Sequence, residues 1–369
     1  MPGMTPLPEC DPVPLCASRR SASMTLVVTG TGNPSGTGTY IALVQRVPSI
    51  FRVASGLPES RIAMLSETAT DAARHGDICR RIECVYELPP MPEMARRVLE
   101  LRRNPDADIS DLAAIVELDP SLAAQVVRYA TSPLHGYRGR ISSIQDAITR
   151  VLGFDLVMNM ALGLATGRSF RNPVDGPLGL HAFWRHAVYS AALAQAIVRR
   201  MPRELRPEPG MAYLAGLLHN FGFLLLGHLF PPEFKLLNKL AAAQPDASVT
   251  ALERCMLGMG QARDAFELGH ARLGGWLMRS WELPAEIQIT VCEHHNPDYA
   301  GEHAVYSHLV LLTDHLLKRH DIGDAPDGEL PQASLGRIGV DADVLEALTA
   351  GLIEQGGELD SMAGTLAGT

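Results

Sequence analysis

The chain has 369 residues, 46% of them hydrophobic and 20% charged, with a formal net charge of −9. That length can bury a substantial core in one large domain or two smaller ones, and the acidic balance removes any global attraction to nucleic acid or anionic lipid. The six cysteines (Cys10, Cys16, Cys79, Cys84, Cys255, Cys292) include no CxxC pair, a pattern of reduced thiols in a cytoplasmic protein rather than of a zinc ribbon or a disulfide framework.

Residues 1–39 are rich in Pro, Gly, Ser and Thr, with five prolines among the first fourteen residues and no apolar signal region. This composition predicts a disordered extension and no secretory leader. Met24 opens a more ordinary stretch, MTLVV, and is an alternative start to Met1. Residues 40–84 read as two short helices around LPES, with Ser60 as a cap.

From LPPMPEM (Leu88–Met94) onward the pattern is helical almost throughout. In ISDLAAIV, Ser110 can cap a helix whose Leu112, Ile115 and Val116 repeat at helical spacing. Asp119-Pro120 places an N-cap before a proline at the first helical position. In SSIQDAITRVLG, Ile144, Ala147, Ile148, Val151 and Leu152 form one apolar stripe that Gly153 stops. Further helices are expected at about 180–201, 210–219, 232–243, 248–258, 262–280, 284–294 and 302–319. Residues 321–369 read as a loop followed by an amphipathic helix through Leu345, Leu348 and Leu352. No strand ladder and no fixed-period repeat is evident, so the predicted architecture is an all-α bundle, with its main domain over residues 85–320. The apolar run FGFLLLG is broken by His228, far short of the ~20 residues of a membrane span.

Several polar residues fall on inward faces. His186 lines up with Phe183, Ser190, Leu193 and Ile197, and Asp314 with Ser307, Val310 and Leu317. His270 shares a face with Gly274 and Met278, His294 and His295 end one helix, and His219 ends another. One such histidine alone is ordinarily a hydrogen-bonded core residue. A buried aspartate needs compensation, and several imidazoles with one carboxylate are the donors a transition metal takes.

LPPMPEMARRVLEL, ELDPSLAAQVVRYATSPLHG, SSIQDAITRVLGFD, FWRHA, AGLLHNFG, GHARLGGWLMRSWELP and EHHNP occur in that order. Together they resemble an HDOD domain, the HD-related output domain of bacterial signalling proteins, from about residue 85 to about 320. The resemblance implies a multi-helix HD-like fold related to the HD and HD-GYP phosphohydrolases. It also implies a regulatory, protein-interacting role, often in pathways linked to cyclic di-GMP, motility or stress. In HD-GYP enzymes a two-metal site takes a first histidine, a His-Asp doublet, three more histidines and a late aspartate. By motif these are His186, His219-Asn220, His270, His294, His295 and Asp314.

Two departures bear on function. Asn220 stands where the doublet has its aspartate, and Phe223 where HD-GYP enzymes have a lysine. A neutral amide offers one carbonyl oxygen and cannot bridge two cations as a carboxylate does, and Phe223 removes a cation that could balance phosphate. The remaining donors divide into His186, His219 and Asp314, and His270, His294 and His295, either of which could hold one divalent metal such as iron, manganese or zinc. The expected function is a signalling module with a degenerate metal site, bound to other signalling proteins and able to self-associate, without nucleic-acid or membrane partners. The alternative is a metal-dependent phosphohydrolase or phosphodiesterase acting on a nucleotide or cyclic dinucleotide. The loop carrying Tyr129, His135, Tyr137, Arg138 and Arg140 reads either as a contact surface or as a solvated connection.

Overall fold

The computed structural model describes residues 25–28, 40–43, 87–256, 262–326 and 328–368. The chain divides into two units, Met1–Thr70 and Asp71–Thr369. In the first, β1 (Thr25–Val28) pairs antiparallel with β2 (Tyr40–Leu43), Thr25 opposite Leu43 and Val28 opposite Tyr40. Residues 40–43 are strand where helix was expected, while the all-α architecture expected over residues 85–320 holds among the described residues. TLVV and YIAL carry the β-branched and aromatic residues that suit a strand, but four residues are too few to display a period of two. The other N-terminal readings (disorder over 1–39, helices around LPES, the choice of Met1 or Met24) lie outside the described residues.

The second unit is helical. α1 (Glu93–Arg103) is followed by α2 (Ile109–Glu117), whose cap is Asp108 and not Ser110. Asp108 accepts from the backbone of Ser110 and Asp111, and the Asp111 carboxylate accepts the Asp108 N–H in return. A reciprocal box satisfies more orphan donors than one serine could. Asp119 caps α3 (Pro120–Thr131) with Pro120 in its first turn, as expected. Ser143 starts α4 (Ile144–Ala147), which runs into a π-turn at Ile148–Leu152 and stops at Gly153, φ 83°.

α5 (Phe154–Thr166), α6 (Leu180–Val198), α7 (Pro209–Leu218) and α8 (Phe221–Leu229) form the centre. Every residue from Leu156 to Thr166 is buried. α5 and α8 were not anticipated from the sequence because each is apolar nearly throughout, with no polar face to set the period, and neither start carries a capping side chain or a proline as α7 does. Pro209–Leu229 is apolar and long enough to cross a bilayer, yet 94% of its most apolar part is buried inside the protein. α9 (Pro231–Ala243), α10 (Val249–Cys255), α11 (Arg263–Ser280), α12 (Ala285–Glu293) and α13 (Ala304–Lys318) follow near their predicted places.

The C-terminal reading is corrected. Residues 321–369 hold three helices, α14 (Gln332–Ile338), α15 (Ala342–Glu354) and α16 (Gly357–Ala367). α16 lies along α6, burying Leu359, Met362 and Ala363. The Tyr189 hydroxyl donates to the Gly356 carbonyl, and Arg185 pairs with Asp360.

Candidate metal centre

α6 supplies His186 on its buried face, as its spacing from Phe183, Ser190, Leu193 and Ile197 predicts. His219 follows the last residue of α7, His294 and His295 follow α12, His270 lies within α11, and Asp314 within α13. The structure brings all six together. His186, His219 and Asp314 form one group and His270, His294 and His295 another, the ligand atoms of each within 4.8 Å of one another. The two groups adjoin, with the His219 and His294 ring centroids 5.1 Å apart.

The hydrogen bonds fix which ring nitrogens face inward. His186 Nδ1 lies 3.0 Å from the Ile322 carbonyl, His219 Nδ1 2.7 Å from that of Gly216, and His294 Nδ1 2.9 Å from that of Val291. A carbonyl can only accept, so each Nδ1 carries a proton, which leaves Nε2 as the nitrogen that can present a lone pair. His270 Nδ1 is held in the same way by Glu253 Oε2, 3.0 Å away.

In the first group the lone pairs converge. His186 Nε2 is 3.1 Å from His219 Nε2 and 3.2 Å from Asp314 Oδ1. A proton on His186 Nε2 would serve one of these contacts at a time, whereas a ligated cation serves all three donors. Imidazole nitrogens each ~2.0–2.1 Å from one zinc-like ion stand about 3 Å apart, so the donor set fits a divalent transition metal. In the second group His270 Nε2 is 3.0 Å from His295 Nε2, a contact that a proton on His295 can satisfy. The buried Nε2 of His294 has no hydrogen-bond partner. Nitrogen donors alone suit the same class of metal.

Burial lowers the pKa of His219 well below 6.5, with His294 and His186 adding to it. Burial does the same to His294, reinforced by His295 and His270, and to His295, reinforced by His270. Neutral rings are the ligating form. Burial pushes Asp314 the other way, but Lys318 and His186 outweigh it and hold the carboxyl well below 3.8.

Asn220 and Phe223 sit at the edge of these groups. The buried Asn220 Oδ1 has no hydrogen-bond partner. Phe223 stacks face to face on the His270 ring, centroids 3.9 Å apart and planes 18° from parallel. The approach depends on Gly222, where a Cβ would run into the His270 carbonyl. The two groups also differ in access. His270 and His295 line an open cleft of about 390 Å³, while His186 borders a cavity of about 40 Å³ shared with Asn220 and Phe223.

The sequence reading missed three supporting residues. Lys318 Nζ sits 2.8 Å from Asp314 Oδ2 and 2.8 Å from Asp324 Oδ1. It thus returns a fixed cation to a region where Phe223 had suggested none. Its i+4 spacing from Asp314 could have revealed it. Asp324 and Glu253 carry no local signal, since their partners lie far along the chain. The predicted loop surface is also revised. Tyr129 is buried, with its hydroxyl 3.3 Å from Gln195 Oε1, and His135 packs edge-on against it. Tyr137 is half-buried, leaving Arg138 and Arg140 exposed.

The HDOD domain family matches residues 88–297. The chain is a member of the HDOD family. It is 38% identical to a solved protein from Marinobacter aquaeolei VT8 described as a candidate signal transduction protein, covering 81% of this chain and 66% of that one, TM-score 0.65. An HDOD domain protein of unknown function from Geobacter sulfurreducens is 25% identical over 80% of this chain and 98% of its own, TM-score 0.62. A candidate phosphohydrolase from Shewanella amazonensis SB2B shares the fold at 22% identity, covering 78% of this chain and 97% of its own, TM-score 0.59. An uncharacterised protein of Treponema pallidum (strain Nichols) is 24% identical over 280 residues, 74% of this chain, and the chain spans about half of its length.

Proposed function

We propose that this HDOD protein is a cytoplasmic signalling module that works through contacts with other signalling proteins, and that its histidine centre holds a single divalent transition metal without efficient hydrolytic chemistry. The observation that carries this reading is the convergence of His186 Nε2, His219 Nε2 and Asp314 Oδ1 beside a doublet whose second member is the amide of Asn220. Such a metal would supply Lewis acidity or simple cross-bracing at the junction of α6, α7 and α13. A paired-metal mechanism needs a carboxylate shared by two ions. Asn220 lacks the charge, and Asp314 Oδ2 is already engaged by Lys318.

The test is elemental analysis of protein offered iron, manganese and zinc, beside His219→Ala. About one metal per chain in the wild type, lost in the variant, supports the reading. No metal refutes it. Turnover of cyclic dinucleotides by the metal-loaded protein would favour the phosphodiesterase alternative, and Asn220→Asp should then add a second metal. For the protein-contact half of the proposal, a signalling partner should co-purify with His219→Ala as well as with the wild type if the site is not the contact surface.

A further inference from the structure

Glu253 makes two hydrogen bonds to one residue. Its Oε1 accepts the His270 backbone N–H at 2.9 Å and its Oε2 accepts Nδ1–H at 3.0 Å. The backbone donor is free because α11 is interrupted at Gly269, φ 71° and ψ 165°, which breaks the ladder one residue before His270. A side chain at that φ would be strained, so glycine makes the clamp available. Glu253 is buried, at 4% exposure, and its helix is itself pinned, because Asp324 Oδ2 accepts the N–H of Val249 at the start of α10. Asp324 also holds Lys318, which holds Asp314. Asp314, Lys318 and Asp324 thus tie α13 to the start of α10, the helix that carries Glu253.

We propose that Glu253 is the positioning residue of the three-histidine group: it fixes the His270 ring and its Nδ1–H tautomer, so that Nε2 is presented as a ligand to a divalent transition metal. This rests on the metal reading above for the site at His186, His219 and Asp314, and adds at His270, His294 and His295 a second, weaker and exchangeable site that fills only when metal is in excess. The carboxylate touches neither ion nor substrate. It acts by removing the ring's rotational freedom and raising the basicity of Nε2, the usual effect of a carboxylate behind a ligating histidine. The group faces the open cleft, so the ion it holds can exchange with solvent.

The test uses the full chain, stripped with chelator and titrated with Co²⁺, in wild type, Glu253→Gln, Glu253→Asp and Glu293→Gln. Glutamine has one acceptor for two donors, and aspartate keeps the charge but is a methylene short. Glu293 lines the same cleft and controls for loss of charge alone. Nitrogen-15 spectra of the metal-free histidines report the His270 tautomer directly. We expect Nδ1–H in the wild type, mixed tautomers in Glu253→Gln, and affinity for the second cobalt reduced roughly 10- to 100-fold, with Glu253→Asp between and Glu293→Gln within threefold of wild type. If Glu253→Gln does not fold, Glu253→Asp decides by the same two readouts. Failure of the wild type to take up cobalt overturns the metal reading itself. Absence of a second equivalent, or second-site uptake that is insensitive to Glu253, equally sensitive to Glu293, or accompanied by Nε2–H at His270, overturns the role of Glu253 alone.

Discussion

Lys318→Met removes the cation that stands between two carboxylates while keeping most of the side-chain volume. Lys318 and Asp314 are 3% and 2% exposed, so water cannot replace the lost partner. Unit charges 2.8 Å apart attract by about 6 kcal/mol at an effective dielectric of ~20, before desolvation is subtracted. Breaking one half of a buried pair costs about 3–5 kcal/mol, because the remaining charge is stranded. For a unit of this size, with an unfolding entropy of about 0.6 kcal/mol/K, that corresponds to a fall of roughly 5–8 °C in Tm. The assay is thermal unfolding followed by circular dichroism, with chelator and then with Co²⁺. Metal should recover part of the loss, since a divalent ion at Asp314 replaces the missing positive charge. A loss below about 1 kcal/mol would refute the claim that Lys318 compensates Asp314.

Acid should destabilise the metal-free protein from about pH 6.5 downward. His219, His294 and His295 have folded pKa values below 6.5, so below that pH the unfolded chain holds more protons than the folded one. Their contribution is complete above pH 6.5 and is lost at up to about 1.4 kcal/mol per pH unit for each ring as pH falls. Urea midpoints at pH 7.5 and 5.5 measure it, and equal midpoints would show that the rings are not buried neutral. Gly222→Ala should force α8 from α11 and cost at least about 1–3 kcal/mol, with faster amide exchange in α11; unchanged exchange would contradict the close crossing. Leu359→Ala should cost about 2–5 kcal/mol, measured by urea unfolding, because α16 is a covered element of the core. A near-neutral result would mean that α16 is not docked on α6.

The helical pattern after Leu88 was legible where apolar residues alternate with exposed ones at helical spacing, as in α2, and where a cap or a proline marks a start, as in α3 and α7. It was not legible in α5 and α8, which are apolar nearly throughout and lack a capping side chain, nor in β1 and β2, which are too short to show a period. The clustered polar residues could be chosen from the sequence because His186 and Asp314 fall in step with core positions, which is costly for polar groups unless they are partnered. Asp119-Pro120 likewise announced its own helix start.

Identity, spacing and the Asn220 and Phe223 departures are properties of the chain read in order, and the sequence alone determined them. Tertiary structure decided which polar atoms face one another. Glu253 meets His270 seventeen residues away, Asp324 meets Val249 across seventy-five, and Ile322 offers its carbonyl to His186 across 136. Such contacts depend on how α6, α10, α11 and α13 pack, and helical periodicity sets the direction of a side chain along its own helix without naming what stands opposite.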